Sequence, residues 1–318
     1  MATASNKQLA RTLTALASSS SSKADELASE AGQSALAQAL ASRDATLLIQ
    51  AANLIGEHQL SAHQDGLRKA YRSFRSAGAP GALAAVVAAL DALEDADTEL
   101  FADAARCVMV ERSKEIAAPV RARGVLALAR TGHVDWLPIA GACLGDRDEN
   151  VRLSAARAIA HRGQRDGAGL LLLRLGAGDA AAEVLIECLR GLFALAPELG
   201  EQYARTALQT GDGELIEHIL HALGTAPSDG AVALLEAELA ARSLADERTP
   251  VITALGLSRR PKARTLLLEL VSGDRTSDAE AALSALAIHR YDTRLAAQLR
   301  ELTAGSRELS RRVEKLFG

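Results

Sequence analysis

The chain has 318 residues, 48% of them apolar but only 3% aromatic. A core of Ala, Leu, Val and Ile favours helices, since Ala and Leu head the helix-propensity scale while sheets draw on aromatic and β-branched residues; an all-β fold is excluded. The 36 basic and 40 acidic residues give a net charge of −4, which excludes a polybasic coat of the kind that holds nucleic acid non-specifically.

Residues 1–32 differ from the rest. A short amphipathic stretch, Gln8 to Ala17, is followed by serines from Ser18 to Ser22, and serine runs make better linkers than helices. This segment reads as a flexible or loosely docked arm. It lacks the apolar core of a signal peptide, and no later run reaches the roughly 18 apolar residues of a membrane span. The three cysteines, Cys107, Cys143 and Cys188, lie far apart in apolar runs and read as buried, reduced thiols. The expected location is the cytoplasm.

Residues 33–318 repeat themselves. The clearest copy is DENVRLSAARAIAHRG, Asp148 to Gly163, echoed upstream by PVRARGVLALARTG, Pro119 to Gly132. Counted from the Val of each VR pair, position 9 falls on Ile55, Leu93, Leu128, Ile159, Leu195, Leu223, Leu255 and Leu286, always aliphatic. Position 8 is Leu54 in the first copy and alanine in the other seven, from Ala92 to Ala285. The mean period is 33 residues over seven intervals.

Each copy carries a second, upstream apolar segment, such as VDWLPIAGACL (Val134 to Leu144) or KARTLLLELVSG (Lys262 to Gly273). Breaks such as GDRDEN and GDGE separate the two segments; Gly closes one helix and Asp caps the next. A copy is therefore helix A, a tight turn and helix B. The B helices are expected near 44–57, 81–94, 117–131, 149–162, 181–196, 213–224, 247–258, 276–289 and 306–317. The charged last unit, SRELSRRVEKLFG, suits a terminal cap. Ankyrin units would show a T-P-L-H turn and tetratricopeptide units large aromatics; this chain has neither pattern.

The run from Asp148 to Gly163 resembles the short HEAT-like repeat, the type also found in bilin lyases, and the resemblance extends over roughly Ser34 to Phe317. It implies an all-α, right-handed solenoid of about nine antiparallel helix pairs. In such families an Asp before helix B and an Arg at position 2 form a ladder between repeats. Asp148 with Arg152, and Arg121 in the preceding copy, fit that role, whereas position 2 elsewhere is Leu48, Val86, Cys188 or Ile216.

Solenoids commonly bind partners on a concave inner surface, and positions 4, 7 and 11 of helix B fall on one face away from the core. This stripe begins acidic, with Glu57, Asp91 and Asp95. It then turns basic and partly apolar. The candidate partner-binding residues are Arg123, Arg130, Arg157, His161, Arg190, Phe193, His218 and His221. Arginines at matched positions suit carboxylates or a phosphate, and Phe193 would supply an apolar anchor, with Leu126, Leu257 and Ile288 on the same stripe. Arg outnumbers Lys 30 to 6, however, which fits a GC-rich bacterial genome and makes Arg the ordinary cation here.

Catalytic signals are weak. Glu214, His218 and His221 share a helical face but lack a further His or Cys nearby, and no GxSxG, phosphate-binding glycine loop or CxxC occurs. Two alternatives come from the resemblance: a nucleic-acid-binding or base-processing protein like the HEAT-like DNA glycosylases, and a bilin-lyase-like subunit. The charge of −4, and one basic against eight acidic residues over 191–241, argue against a duplex. Trp136 lies in a helix-A core run, where packing is its expected job. The reading is a cytoplasmic, non-enzymatic scaffold that needs no cofactor or metal and binds an acidic or amphipathic segment of a protein partner.

Overall fold

The computed structural model describes residues 2–18 and 23–318; the expected serine linker lies, beyond Ser18, outside the described residues. Among the described residues the chain forms twenty α-helices and one two-stranded hairpin. It divides into two compact units, Met1–Ala158 and Ile159–Gly318. None of its helices is long and apolar enough to cross a membrane, among the described residues.

In the first unit α1 (Ala2–Ser18) and α2 (Lys23–Ala28) precede the repeats. The amphipathic stretch Gln8 to Ala17 lies within α1, which packs on α3 and α4 and buries Leu13 and Leu16. The helix pairs that follow are α3 (Glu30–Ala41) with α4 (Ala45–Glu57), α5 (Gln64–Phe74) with α6 (Pro80–Ala92), and α7 (Thr98–Ala105) with α8 (Ala118–Leu128). A fourth joins α9 (Trp136–Leu144) to α10 (Glu149–Arg162), whose last turn belongs to the second unit.

The second unit holds five pairs: α11 (Ala168–Ala177) with α12 (Ala182–Leu195), α13 (Pro197–Thr210) with α14 (Gly213–Thr225), α15 (Asp229–Ala241) with α16 (Ala245–Leu257), α17 (Pro261–Ser272) with α18 (Thr276–Leu286), and α19 (Thr293–Thr303) with α20 (Arg307–Phe317). Each expected B helix is present, and Asp44, Asp148 and Asp212 cap theirs through hydrogen bonds to first-turn amides. Within a unit, B helices stack on B helices and A helices on A helices, as with α14, α16 and α18 or α13, α15 and α17. Stacking gives each pair the second wall that its apolar faces need.

Burial corrects the repeat frame in two copies. In α14 the buried residues are Ile219, Leu220, Ala222, Leu223 and Gly224, and in α16 they are Val251, Ile252, Ala254, Leu255 and Gly256. The same pattern in α6 and α12 places the small–aliphatic pair on Ala89–Leu90 and Gly191–Leu192, three residues before the Ala92–Leu93 and Ala194–Leu195 that the sequence selects. Helix-to-helix contacts agree. Position 10 of one copy faces position 8 of the next: a Cβ on Gly56 would lie 3.1 Å from the Ala89 Cα, one on Gly256 2.6 Å from the Ala285 Cβ, and one on Gly191 2.9 Å from the Ala160 Cβ. These small residues set how closely consecutive B helices approach.

One element has no precedent in the sequence pattern. Between α7 and α8 the chain forms a hairpin, β1 (Val110–Glu111) against β2 (Lys114–Glu115), with Val110 opposite Glu115 and Glu111 opposite Lys114. Its two turn residues, Arg112 and Ser113, both have positive φ, 47° and 65°, as two-residue hairpin turns with matching twist require. Neither is the Gly or Asn that usually marks such a turn.

Candidate functional site

In the first unit, Arg123 of α8 is exposed and makes no ion pair among the described residues. Arg157 of α10 is also exposed. Arg130, two residues beyond α8, is differently placed: it donates to the carboxylate and the backbone carbonyl of Asp91 on α6. The acidic and basic parts of the expected stripe thus neutralise each other at this point. Asp95, a further acidic member, is buried and paired with Arg68 of α5, Nη2 to Oδ2 2.8 Å.

In the second unit, His161 and His221 are exposed and His218 is half-buried. Arg190 is half-buried and holds Glu187 one turn earlier, Nη1 to Oε2 2.9 Å. Phe193 does not line a surface. It is 2% exposed, and its ring packs over Gly200 of α13, where a Cβ would come within 3.1 Å of the ring Cγ. The corrected frame explains the difference. Phe193 occupies position 10, a position buried in α14 and α16 as well, and Arg190 occupies position 7, which is the outward one.

In that frame position 7 carries Arg190, His221, Thr253 and Ser284 through the second unit, and all but the half-buried Arg190 are exposed. Between α14 and α16 the stripe borders a groove of about 290 Å³ lined by Glu217, His221, Thr249, Pro250, Thr253 and Leu257 among others. Pro250 lies inside α16 and has no N–H to offer the carbonyl one turn back. Glu214, His218 and His221 form no metal-ligating group; no set of three or more His, Cys, Asp or Glu that could hold an ion occurs among the described residues.

The inter-repeat ladder takes a form the sequence only half discloses. Arg121 of α8 reaches into the next copy, donating from Nε and Nη2 to Asp146 (2.7 and 3.1 Å), from Nη2 to Glu115 of the hairpin (2.9 Å) and from Nη1 to the carbonyl of Cys107 (3.0 Å). Burial lowers the pKa of Arg121, but these carboxylates outweigh it and the net shift is upward. Asp148 is not a rung; it caps α10, and Arg152 donates to the carbonyls of Asp146 and Arg147 in its own turn.

A second rung lies in the second unit. Arg248, position 2 of the seventh copy, donates Nε to Asp278 of α18 (2.9 Å) and Nη1 to the carbonyls of Leu239 and of Arg242, the latter at 3.0 Å. Its place at position 2 of the repeat is legible in the sequence, whereas its carboxylate partner on α18 is not. Both rungs join a B-helix arginine to carbonyls at the end of its own preceding segment and to a carboxylate of the next copy.

The stacked helix pairs give each unit the arrangement of an α-solenoid, similar to HEAT-like repeats. No protein-family model matches the sequence, and no curated protein matches it. Among solved structures it is similar to the complex of CpcE and CpcF of phycocyanin lyase from Nostoc sp. PCC7120, at 17% identity over 89% of this chain and 92% of that one, with a TM-score of 0.36. It is also similar to importin beta, at 12% identity over 98% of this chain and 57% of that one, TM-score 0.42. Human deoxyhypusine hydroxylase in complex with glycerol matches at 16% identity over 92% of this chain and 99% of that one, TM-score 0.30.

Proposed function

We propose that this solenoid is a non-catalytic cytoplasmic scaffold that presents the outward stripe of its B helices to an acidic or amphipathic segment of a protein partner. The observation that carries the reading is position 7. Successive copies of the second unit place a polar or cationic side chain there, and the groove between α14 and α16 runs beside two of them, His221 and Thr253. A partner helix in such a groove would use both its apolar floor at Leu257 and its polar edges. In the first unit Arg123 and Arg157 are the exposed cations of the same helix layer, suited to bidentate contact with carboxylates. Three buried, unbridged cysteines fit a reducing compartment.

The test is affinity capture from the native extract after nuclease treatment, with each unit's variant run separately. Arg123→Glu with Arg157→Glu alters the first unit; Arg190→Glu with His221→Glu alters the second. A protein captured by the parent chain and lost with either variant, while circular dichroism shows unchanged helix content, supports the reading. Capture indifferent to both variants, or recovery of nucleic acid in place of protein when nuclease is omitted, defeats it.

A further inference from the structure

Away from the B-helix stripe, the second unit carries a cationic edge with an exposed aromatic residue at its centre. Two turns leading from a B helix into the next A helix form it: Ser258 to Arg260 ahead of α17, and Arg290 to Asp292 ahead of α19. They lie side by side, because Arg264 of α17 donates Nη1 to Oδ2 of Asp292 at 3.0 Å and α17 packs on α19. Six cations gather here. Three are matched by carboxylates: Arg260 by Asp229 (2.6 Å), Lys262 by Glu236 (2.6 Å) and Arg264 by Asp292. Arg259, Arg290 and Arg294 are exposed and have no carboxylate partner among the described residues.

Tyr291 stands among them, 83% exposed, and Ile288 on the preceding turn is 63% exposed. The Arg290 guanidinium sits over one face of the Tyr291 ring, 4.9 Å from its centroid, and donates to its hydroxyl at 3.0 Å. The ring is thereby held outward with its other face open. Tyrosine and arginine are the residues most often found as binding anchors. Burying this pair against nothing but water leaves apolar surface exposed beside uncompensated positive charge, and an occupant must answer both features.

We infer that this edge is a second docking surface, for a short acidic peptide segment carrying an aromatic or large aliphatic side chain. The carboxylates would meet Arg259, Arg290 and Arg294, and the apolar side chain would cover Tyr291 and Ile288. Charge decides between a peptide and a nucleic acid. Three uncompensated cations match a few carboxylates, whereas a longer polyanion would run on toward residues 191–241 of the same unit, with one basic against eight acidic residues. The inference rests on the scaffold reading, and of the residues it uses only Ile288 belongs to the expected B-helix stripe.

The experiment pans a phage-displayed random-peptide library on the full chain, then measures synthetic versions of the selected peptides by fluorescence anisotropy. The expected peptides combine Asp or Glu with an aromatic or large aliphatic residue. They should bind the Arg259→Glu, Arg290→Glu, Arg294→Glu triple variant at least ~10-fold more weakly, and Tyr291→Ala several-fold more weakly, as anchor truncations do. Affinity should be unchanged in Arg123→Glu with Arg157→Glu, so failure of the B-helix reading and failure of this one give different results. Selected peptides without acidic enrichment, or equal affinity for the triple variant, overturn the inference. So does an oligothymidylate probe that binds the parent chain and is lost with the triple variant, since the surface would then take nucleic acid.

Discussion

Arg248 on α16 and Asp278 on α18 form a two-point ion pair across a repeat boundary, with Nε and Nη2 lying 2.9 and 2.7 Å from the same carboxylate oxygen. Asp278 is only 3% exposed, so its carboxylate is shielded from water and takes its charged partner from within the fold. Arg121 and Asp146 make the corresponding contact in the first unit. The arginine side chain also takes up carbonyl oxygens at the end of its own preceding segment, so one residue ties together three pieces of chain.

Removing one member of the pair should therefore cost more than removing both. Arg248→Met leaves a buried carboxylate unpaired and is expected to destabilise by about 3–5 kcal/mol. The double variant Arg248→Met with Asp278→Leu should recover a large part of that loss. Urea unfolding of the parent, the two single variants and the double variant checks this; equal losses in the single and double variants would show that the pair does not act as a unit.

The close approach of B helices makes a second prediction. In α14, a Cβ on Gly224 would overlap the carbonyl oxygen of Ala254 on α16. Gly224→Ala gains up to about 1 kcal/mol in helix propensity, but its Cβ already meets that oxygen and must push the helices apart, at a cost of about 1–3 kcal/mol, and Gly224→Val must push them further. The thermal midpoint should fall for alanine and fall further for valine. A rise with either would mean that α14 and α16 separate freely.

Acid should loosen the junction around Arg121. Its guanidinium, with the amides of Ala117 and Met109, holds the Glu115 carboxyl below the usual glutamate range against a smaller opposing effect of burial. A carboxyl whose pKa is lowered on folding contributes stability that is fully present above its unfolded value, about 4.3, and is lost as pH falls through the folded value. Urea midpoints measured from pH 7 down to about 3 should decline over that window. In Glu115→Gln the midpoint should start lower at pH 7 and change less with acid.

The thiols should be slow to react. Burial pushes Cys143 up to about 12 and Cys188 up to about 12, and raises Cys107 as well; the Cys143 thiol also donates to the carbonyl of Ala105 at 3.4 Å. Since the thiolate is the reactive form, a colorimetric disulfide reagent at pH 8 should label the native chain slowly and all three thiols at once after denaturation. Rapid labelling of one thiol in the native chain would show that its segment opens locally.

Periodicity in the sequence was enough for the helix pairs and their turns, because most B helices repeat a small–aliphatic pair and most A–B breaks carry Gly or Asp. It was not enough to set the register of α6 and α12. Both contain two small–leucine pairs three residues apart, Ala89–Leu90 and Ala92–Leu93 in one, Gly191–Leu192 and Ala194–Leu195 in the other. Residues three apart lie on nearly the same helical face, so either pair satisfies the pattern. The later pair would turn Phe193 outward, whereas its ring is packed in the core.

The hairpin at Val110 to Glu115 was hidden for a different reason: Glu-Arg-Ser-Lys carries no Gly or Asn, and only the fold around it holds Arg112 and Ser113 at positive φ. Pairing of charges was likewise invisible, because Arg130 finds Asp91 and Arg264 finds Asp292 only once distant segments are brought together. Local helical preference and the spacing of apolar residues belong to neighbouring positions, and the sequence by itself determined them, and with them the all-α repeat. Which arginines stay available to a partner depends on carboxylates tens of residues away, and only the tertiary structure decided that.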